Sequence, residues 1–210
     1  MVAQLDVLRK DTDLDFLLED SLNLMTETRE GLTRVKKIVL DLKNFSRVDA
    51  VAEWGETDLH HCFDSTLNIL ANEIKYKADV VKLYAEIPLV ECIASQINQV
   101  ILNLLVNATD SIGSQRGTIP VRTGVHIDLK TETQQVWFEV SDTGCGIAPE
   151  TLQRIFEPFY TTKPVGKGTG LGLSLSYGIV QGHNGRFDVS SELGVGTRFR
   201  VTLPVNQVTP

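Results

Sequence analysis

Cysteine is scarce and scattered: Cys62, Cys92 and Cys145 are the three in a chain of 210 residues. Odd in number and without a CxxC pair, they exclude a disulfide framework and a structural zinc, and they fit a reduced, cytoplasmic setting. Long apolar runs are missing too. No stretch approaches the ~20 residues that span a bilayer, and the opening MVAQLDVLRKDTDLD has no signal-peptide core. The chain is therefore expected to hold no membrane segment, any attachment of a parent protein coming from regions not present in it. Positive charge is outnumbered, with 20 Lys and Arg against 27 Asp and Glu and a formal net charge of −7. That balance argues against a broad nucleic-acid footprint. Internal repeats and low-complexity tracts are lacking, and no GxxxxGK[ST] phosphate loop occurs. What is present suffices for a real core: 42% of residues are apolar, enough for one domain and an appendage.

The chain divides near residue 50, into residues 1–50 and residues 51–210. In the first part Leu14, Leu17, Leu24, Val35, Ile38, Leu42 and Phe45 fall in a register of alternating steps of three and four, with Ser21, Thr28 and Gly31 filling its gaps. Leu18, Met25, Leu32 and Val39 widen the stripe. The pattern predicts a long amphipathic helix buried against more than one neighbour, as in a helical bundle. A single helix cannot bury such a stripe alone, so a partner is implied, most simply a second chain. A helix packed on its own globular domain is the alternative.

SRVDAVAEWGETD then breaks the period and reads as a linker. Beyond it, DLHHCFDSTLNILANEI, SQINQVILNLLVNATDSI and GLGLSLSYGIVQGH read as helices. VKLYAEI alternates, with Val81, Leu83, Ala85 and Ile87 on one face, and reads as a strand. VHIDLK, QQVWFEVSD, GRFDVSS and TRFRVTLP read likewise. Half-polar strands interleaved with helices predict an α/β two-layer sandwich, a mixed sheet with helices on one face.

Three stretches carry chemistry. On the central helix Gln99, Asn103, Asn107 and Asp110 line one polar stripe. A carboxamide oxygen suits a hard cation that already carries phosphate and water ligands, although an ordinary amphipathic helix with polar residues outward has the same pattern. Next, SDTGCGI ends a strand with Asp142, Gly144 and Gly146. The glycines allow a sharp turn and close approach of backbone to ligand, and the carboxylate can accept from an exocyclic amine such as that of adenine. Finally, GKGTGLGL places Gly166, Gly168, Gly170 and Gly172 before an apolar helix, where unhindered backbone amides make a phosphate cradle. Lys163 and Lys167 add cationic charge nearby.

In this order the stretches resemble the ATP-binding domain of sensor histidine kinases, within the GHKL superfamily of the Bergerat fold. The likeness covers roughly residues 55–204. NLLVNA (Asn103 to Ala108) is similar to the N box, DTGCGI (Asp142 to Ile147) to the first G box, and FEPFYTTK (Phe156 to Lys163) to the F box. GKGTGLGL (Gly166 to Leu173) is similar to the second G box, and GVGTRFRVTLP, with Thr197, to the closing strand. The resemblance implies ATP and Mg²⁺ as ligands. Asn107 would hold the metal, with Asn103 one turn away at phosphate or metal, and Asp142 would read the adenine amine. Phe156 and Phe159 would anchor a mobile lid, and Gly168, Gly170 and Gly172 would hold phosphates. Gly144, Gly146, Ile147, Thr162, Lys163, Lys167, Thr169, Leu171 and Thr197 complete the implied pocket, with Asp110 included and its role open.

GLTRVKKIVLDLKNFSR is similar to the second helix of that family's dimerisation and phosphotransfer hairpin. The first helix, with its phospho-accepting His and following acid, is missing. None of His60, His61, His126 and His183 fits that place, so no catalytic residue is assigned. The resemblance implies transfer of the ATP γ-phosphoryl group to a histidine outside this chain, a homodimer through the helical region of the parent, and relay to the receiver domain of a response regulator. A GHKL ATPase is the first alternative. Those relatives place a Glu four residues before the metal-binding Asn, where this chain has Asn103, and a neutral amide is no general base. A nucleotide-binding scaffold without turnover is the second.

Overall fold

The computed structural model describes residues 14–46, 53–128, 133–164 and 168–207. Helix α1 (Leu14–Ser46) is continuous, as the three-and-four spacing predicts. Its described apolar side chains, among them Leu17, Leu18, Leu24, Met25, Leu32 and Val35, stand exposed to solvent. The predicted stripe therefore finds no cover within the described chain. The side chains of Leu14, Ile38, Leu42 and Phe45 lie outside the described residues.

The remainder is built from β1 (Gly55–Thr57), α2 (Leu59–Ile74), β2 (Ala78–Leu83), β3 (Val90–Cys92), α3 (Ala94–Ser111), β4 (Gly117–Asp128), β5 (Thr133–Asp142), α4 (Pro149–Leu152), α5 (Gly172–Gly182), β6 (Arg186–Glu192) and β7 (Gly196–Pro204). Five strands form a sheet in the order β2-β4-β5-β7-β6. β2 runs parallel to β4, and the other neighbours pair antiparallel. β1 and β3 form a separate antiparallel pair.

The period-2 alternation sorts the sheet into two faces. Ile119 and Val121, Val136, Phe138 and Val140, and Phe199, Val201 and Leu203 point inward and are buried. α2, α3 and α5 pack over them, α3 lying between the other two. Its Ile97, Val100, Ile101, Leu104 and Leu105 are fully enclosed, which makes α3 the centre of the core. α2 opens on Asp58, whose carboxylate accepts from the His60 and His61 amides, a side-chain N-cap.

The opposite face is polar. One cross-strand row carries Arg122, Glu139, Arg200 and Asp188. Glu139, only 1% exposed, is clasped by Arg122 at 3.1 Å and Arg200 at 2.7 Å. Arg200 also lies over the Trp137 ring, 4.1 Å from its centroid.

Several details differ from the sequence reading, which also names no strand at β3. β2 starts earlier and ends at Leu83, and Val81 and Leu83 are exposed because β2 is an edge strand whose inward residues are Ala78 and Val80. β4 begins at Gly117 rather than Val125 and carries Pro120 within its length. The stretch read wholly as linker contributes β1.

Candidate functional site

α3 organises the polar groups by its own repeat. Asn103, Asn107 and Ser111 lie four residues apart, so they stack along one side of the helix. At the Ser111 end, the hydroxyl is 2.8 Å from Asp142 Oδ1 and 2.8 Å from the Ala108 carbonyl, one proton serving both. The Gly144 amide donates to the same carboxylate oxygen at 2.8 Å, and the Thr197 backbone also hydrogen-bonds to the carboxylate. Asp142 is 8% exposed. Burial pushes its carboxyl up, while the bonds from Ser111, Gly144 and Thr197 pull it back. It is a buried acceptor at the end of β5.

The first glycine turn closes around that carboxylate. A Cβ on Gly144 would collide with Ser111, so glycine lets the turn close on α3. The Ile147 amide donates to Ser191 Oγ at 2.8 Å, and Ser191 lies 2.9 Å from Thr197 Oγ1. Thr197 pairs with Asp142 across the strands, and Ser191 ties it to Ile147. Cys145 is exposed.

At the other end Asn103 joins α3 to α5. Its Nδ2 donates to the Gly172 carbonyl at 3.0 Å and lies 3.1 Å from Ser176 Oγ, and its Oδ1 accepts from Gln99 at 3.1 Å. α5 begins at Gly172 without a side-chain cap, with Leu171 as N-cap residue. Its first amides are the kind of donors an anion uses. The Leu171 amide turns back to Thr169 Oγ1 at 3.4 Å.

Between the ends lies Asn107. The Lys163 ammonium donates to its Oδ1 at 3.1 Å and to Asp110 Oδ2 at 2.8 Å. Asp110 Oδ1 faces Lys77 at 3.6 Å. Lys163 belongs to a segment that starts on Phe156, whose ring is 5.0 Å from Tyr177 and 5.2 Å from Phe187. Phe159 has φ of 67°, is 65% exposed, and donates its amide to the Gly170 carbonyl at 3.0 Å. Of the two phenylalanines, then, Phe156 is packed into the core edge and Phe159 stands out from it. Thr162 is exposed, Gly168 lies against Thr161 and Lys163, and Lys167 is outside the described residues.

The histidines occupy other places. His60 Nε2 is 2.9 Å from Thr123 Oγ1 and the ring stacks on Tyr84; His61 and His126 are exposed. His183 is fully buried, Nε2 accepting from the Ile93 amide at 3.0 Å and Nδ1 donating to Ile179 O at 2.8 Å. Burial lowers its basicity. Sequence reasoning passed over Ser111, Ser191 and Lys77. For Ser111 the signal was there: it continues the four-residue step from Asn103 and Asn107, whereas Asp110 was taken instead.

The profile described as "Histidine kinase-, DNA gyrase B-, and HSP90-like ATPase" matches residues 92–207. Sensor kinase CckA of Brucella abortus is 47% identical over 118 residues, 52% of this chain and 12% of its own length. Two-component sensor PprA of Pseudomonas aeruginosa is 38% identical over 82% of this chain and 19% of its own. For histidine-protein kinase AtoS of Escherichia coli the values are 34%, 82% and 27%. The chain thus spans well under a third of the length of these relatives. Among solved structures, the catalytic domain of histidine kinase ThkA superposes with a TM-score of 0.62 at 29% identity, covering 73% of this chain and 99% of that one. ShkA in complex with AMPPNP superposes at 0.68 and 24% identity, over 83% of this chain and 36% of its own.

Proposed function

Because the chain belongs to the histidine kinase-, DNA gyrase B- and HSP90-like ATPase family, we propose that residues 51–210 are a histidine kinase catalytic domain and residues 1–50 part of its dimerisation hairpin. The observation that carries the proposal is the spacing along α3. Ser111, which hydrogen-bonds to the buried carboxylate of Asp142, and Asn103, which hydrogen-bonds to the start of α5, lie eight residues apart, about 12 Å along a helix axis. That is a nucleotide-sized span with a base acceptor at one end and anion donors at the other.

The donor set suits Mg²⁺. The Lys163 ammonium rests on Asn107 Oδ1 and Asp110 Oδ2 as a stand-in cation. Asn107 would hold the ion, which when bound supplies charge neutralisation at the phosphate oxygens. Asp142 accepts from the adenine amine. Gly144, Gly146, Ile147 and Thr197 shape the base end. Gly168, Thr169, Gly170, Leu171 and Gly172 present backbone to the phosphates, with Lys167 adding charge. Phe156 fastens the lid, with Phe159 and Thr162 on its outer side.

Phosphoryl transfer then runs in line from the γ-phosphorus to an imidazole nitrogen supplied from outside this chain, ADP leaving. Water is a poor competitor, because Asn103 occupies the place of a general base and its carboxamide is already engaged by Gly172, Ser176 and Gln99. The exposed stripe of α1 fits dimerisation in the parent, and a response regulator receiver domain is the proposed next acceptor. With γ-labelled ATP this chain alone is expected to take up no acid-labile, base-stable label. Adding a separately produced hairpin with an acceptor His should give label on the hairpin. Stoichiometric label on His60 or His61 would overturn the reading, and binding without any transfer would favour a scaffold.

A further inference from the structure

Asp110 and Lys163 have no assigned task beyond general proximity to phosphate, yet their geometry is specific. Lys163 sits on two oxygens of one helix, Asn107 Oδ1 at 3.1 Å and Asp110 Oδ2 at 2.8 Å. The second oxygen of Asp110 faces Lys77 at 3.6 Å, and Lys77 also donates to the Thr109 carbonyl at 3.2 Å. Lys77 therefore orients the carboxylate so that its other oxygen meets the lid. The lid side is held as well: the Lys163 amide donates to Thr161 Oγ1 at 3.1 Å, and Gly168 packs on the Lys163 side chain. Asn107 and the lid are thus joined through one ammonium.

We infer that Lys163 is a built-in competitor for the divalent cation at Asn107, with Asp110 as the residue that positions it. The inference rests on the nucleotide-site reading above. An oxygen ligand holds Mg²⁺ at about 2.0–2.1 Å, and an ammonium bonded to the same carboxamide oxygen would then lie within a few ångströms of a doubly charged ion. Repulsion at that range is strong, so the two cations exclude each other. Loading the metal with the nucleotide displaces Lys163 from Asn107 and uncouples the 159–163 segment from α3. The pair Asp110–Lys163 thereby sets how much Mg²⁺ the site needs to bind nucleotide. A phosphate-ligand role for Lys163 makes the opposite prediction, since removing it would weaken nucleotide with or without metal.

The test is binding of trinitrophenyl-ATP to the full chain, titrated with Mg²⁺ from a chelated, metal-free start. Lys163→Met keeps the aliphatic stem and removes the charge. It is expected to lower the Mg²⁺ concentration at half-maximal enhancement by about three- to tenfold, the scale of a half-exposed ion pair plus a carboxamide bond. Metal-free affinity should stay within about twofold of wild type, and Lys163→Arg, which keeps the charge, should retain the wild-type Mg²⁺ midpoint. An unchanged or raised midpoint in Lys163→Met overturns the inference and leaves the nucleotide site standing. Weaker metal-free binding in that variant overturns it in favour of a phosphate ligand. No binding by the wild-type chain removes the site reading, and this inference with it.

Discussion

Asp142 and His183 are both buried titratable groups, and their partners give them opposite tasks. Asp142 receives hydrogen bonds from Ser111, Gly144 and the Thr197 backbone, yet burial still raises its pKa. In the proposed site this carboxylate is the acceptor for the adenine amine. Asp142→Asn should therefore weaken ATP about ten- to a hundredfold, the worth of a hydrogen bond to a charged acceptor, while changing unfolding free energy by no more than about 1 kcal/mol. Calorimetry beside urea melts checks both halves, and an unchanged affinity removes Asp142 from the site.

His183 is structural. Its Nε2 accepts the Ile93 amide, which fixes the neutral tautomer with the proton on Nδ1. Protonation would set a donor against a donor. Its pKa is lowered from the ordinary 6.5, so the unfolded chain takes up this proton at higher pH than the folded one. The stability it contributes is full above that value and is lost as pH falls through 6.5 toward the folded-state pKa. Urea melts between about pH 7 and 5.5 should show that slope, and His183→Gln, which has nothing to titrate, should lack it. From the sequence His183 was only a histidine after a helix; the amide it accepts from belongs to Ile93, the N-cap residue of α3, 90 positions away and beyond the reach of any local pattern.

At the scale of elements, the proposed site depends on α3 and on the strap, residues 156–163, whose Lys163 bonds to it. α3 was legible because a 3.6-residue period over eighteen residues separates its buried and polar sides plainly. β5, β6 and β7 were legible for the same reason with period 2. β1 and β3 were not, each having three residues and no room for a period. β2 was legible as a strand but not in its bounds, which run from Ala78 to Leu83; alternation marks two sides of a strand without saying which is covered, and Val81 and Leu83 lie on the exposed side. The strap's order came from tertiary contacts. Phe159 takes a left-handed φ of 67°, and Gly170, itself at 69°, lets the two backbones meet. A Cβ on Gly170 would strike the Phe159 main chain. Gly170→Ala is expected to cost about 1–3 kcal/mol locally and to expose the Phe159 amide, now bonded to Gly170 O. Faster hydrogen exchange at that amide, with the α3 amides unchanged, is the expected signature. Uniform destabilisation would place Gly170 in the global fold instead.

Across the whole molecule, one sheet face is spent on the core and the other on an ion-paired row centred on Glu139. The nucleotide is proposed to lie at the helical side, among α3, α5 and the strap, with α1 presenting an unburied apolar stripe. The family boxes were readable in order from sequence because each carries its chemistry in consecutive residues. The links between them were not: Ser111 to Asp142 spans 31 positions, Asn103 to Gly172 69, and Lys163 to Asn107 56.

The central claim is that these linked groups form one metal-dependent nucleotide site. The most direct test is calorimetric titration of a non-hydrolysable ATP analogue into the full chain, with and without Mg²⁺, for wild type and Asn107→Ala. The account predicts metal-dependent binding by the wild type, with the Mg²⁺ enhancement lost in Asn107→Ala although its melting curve is retained. Equal enhancement by Mg²⁺ in both proteins, or no binding in either, would contradict it.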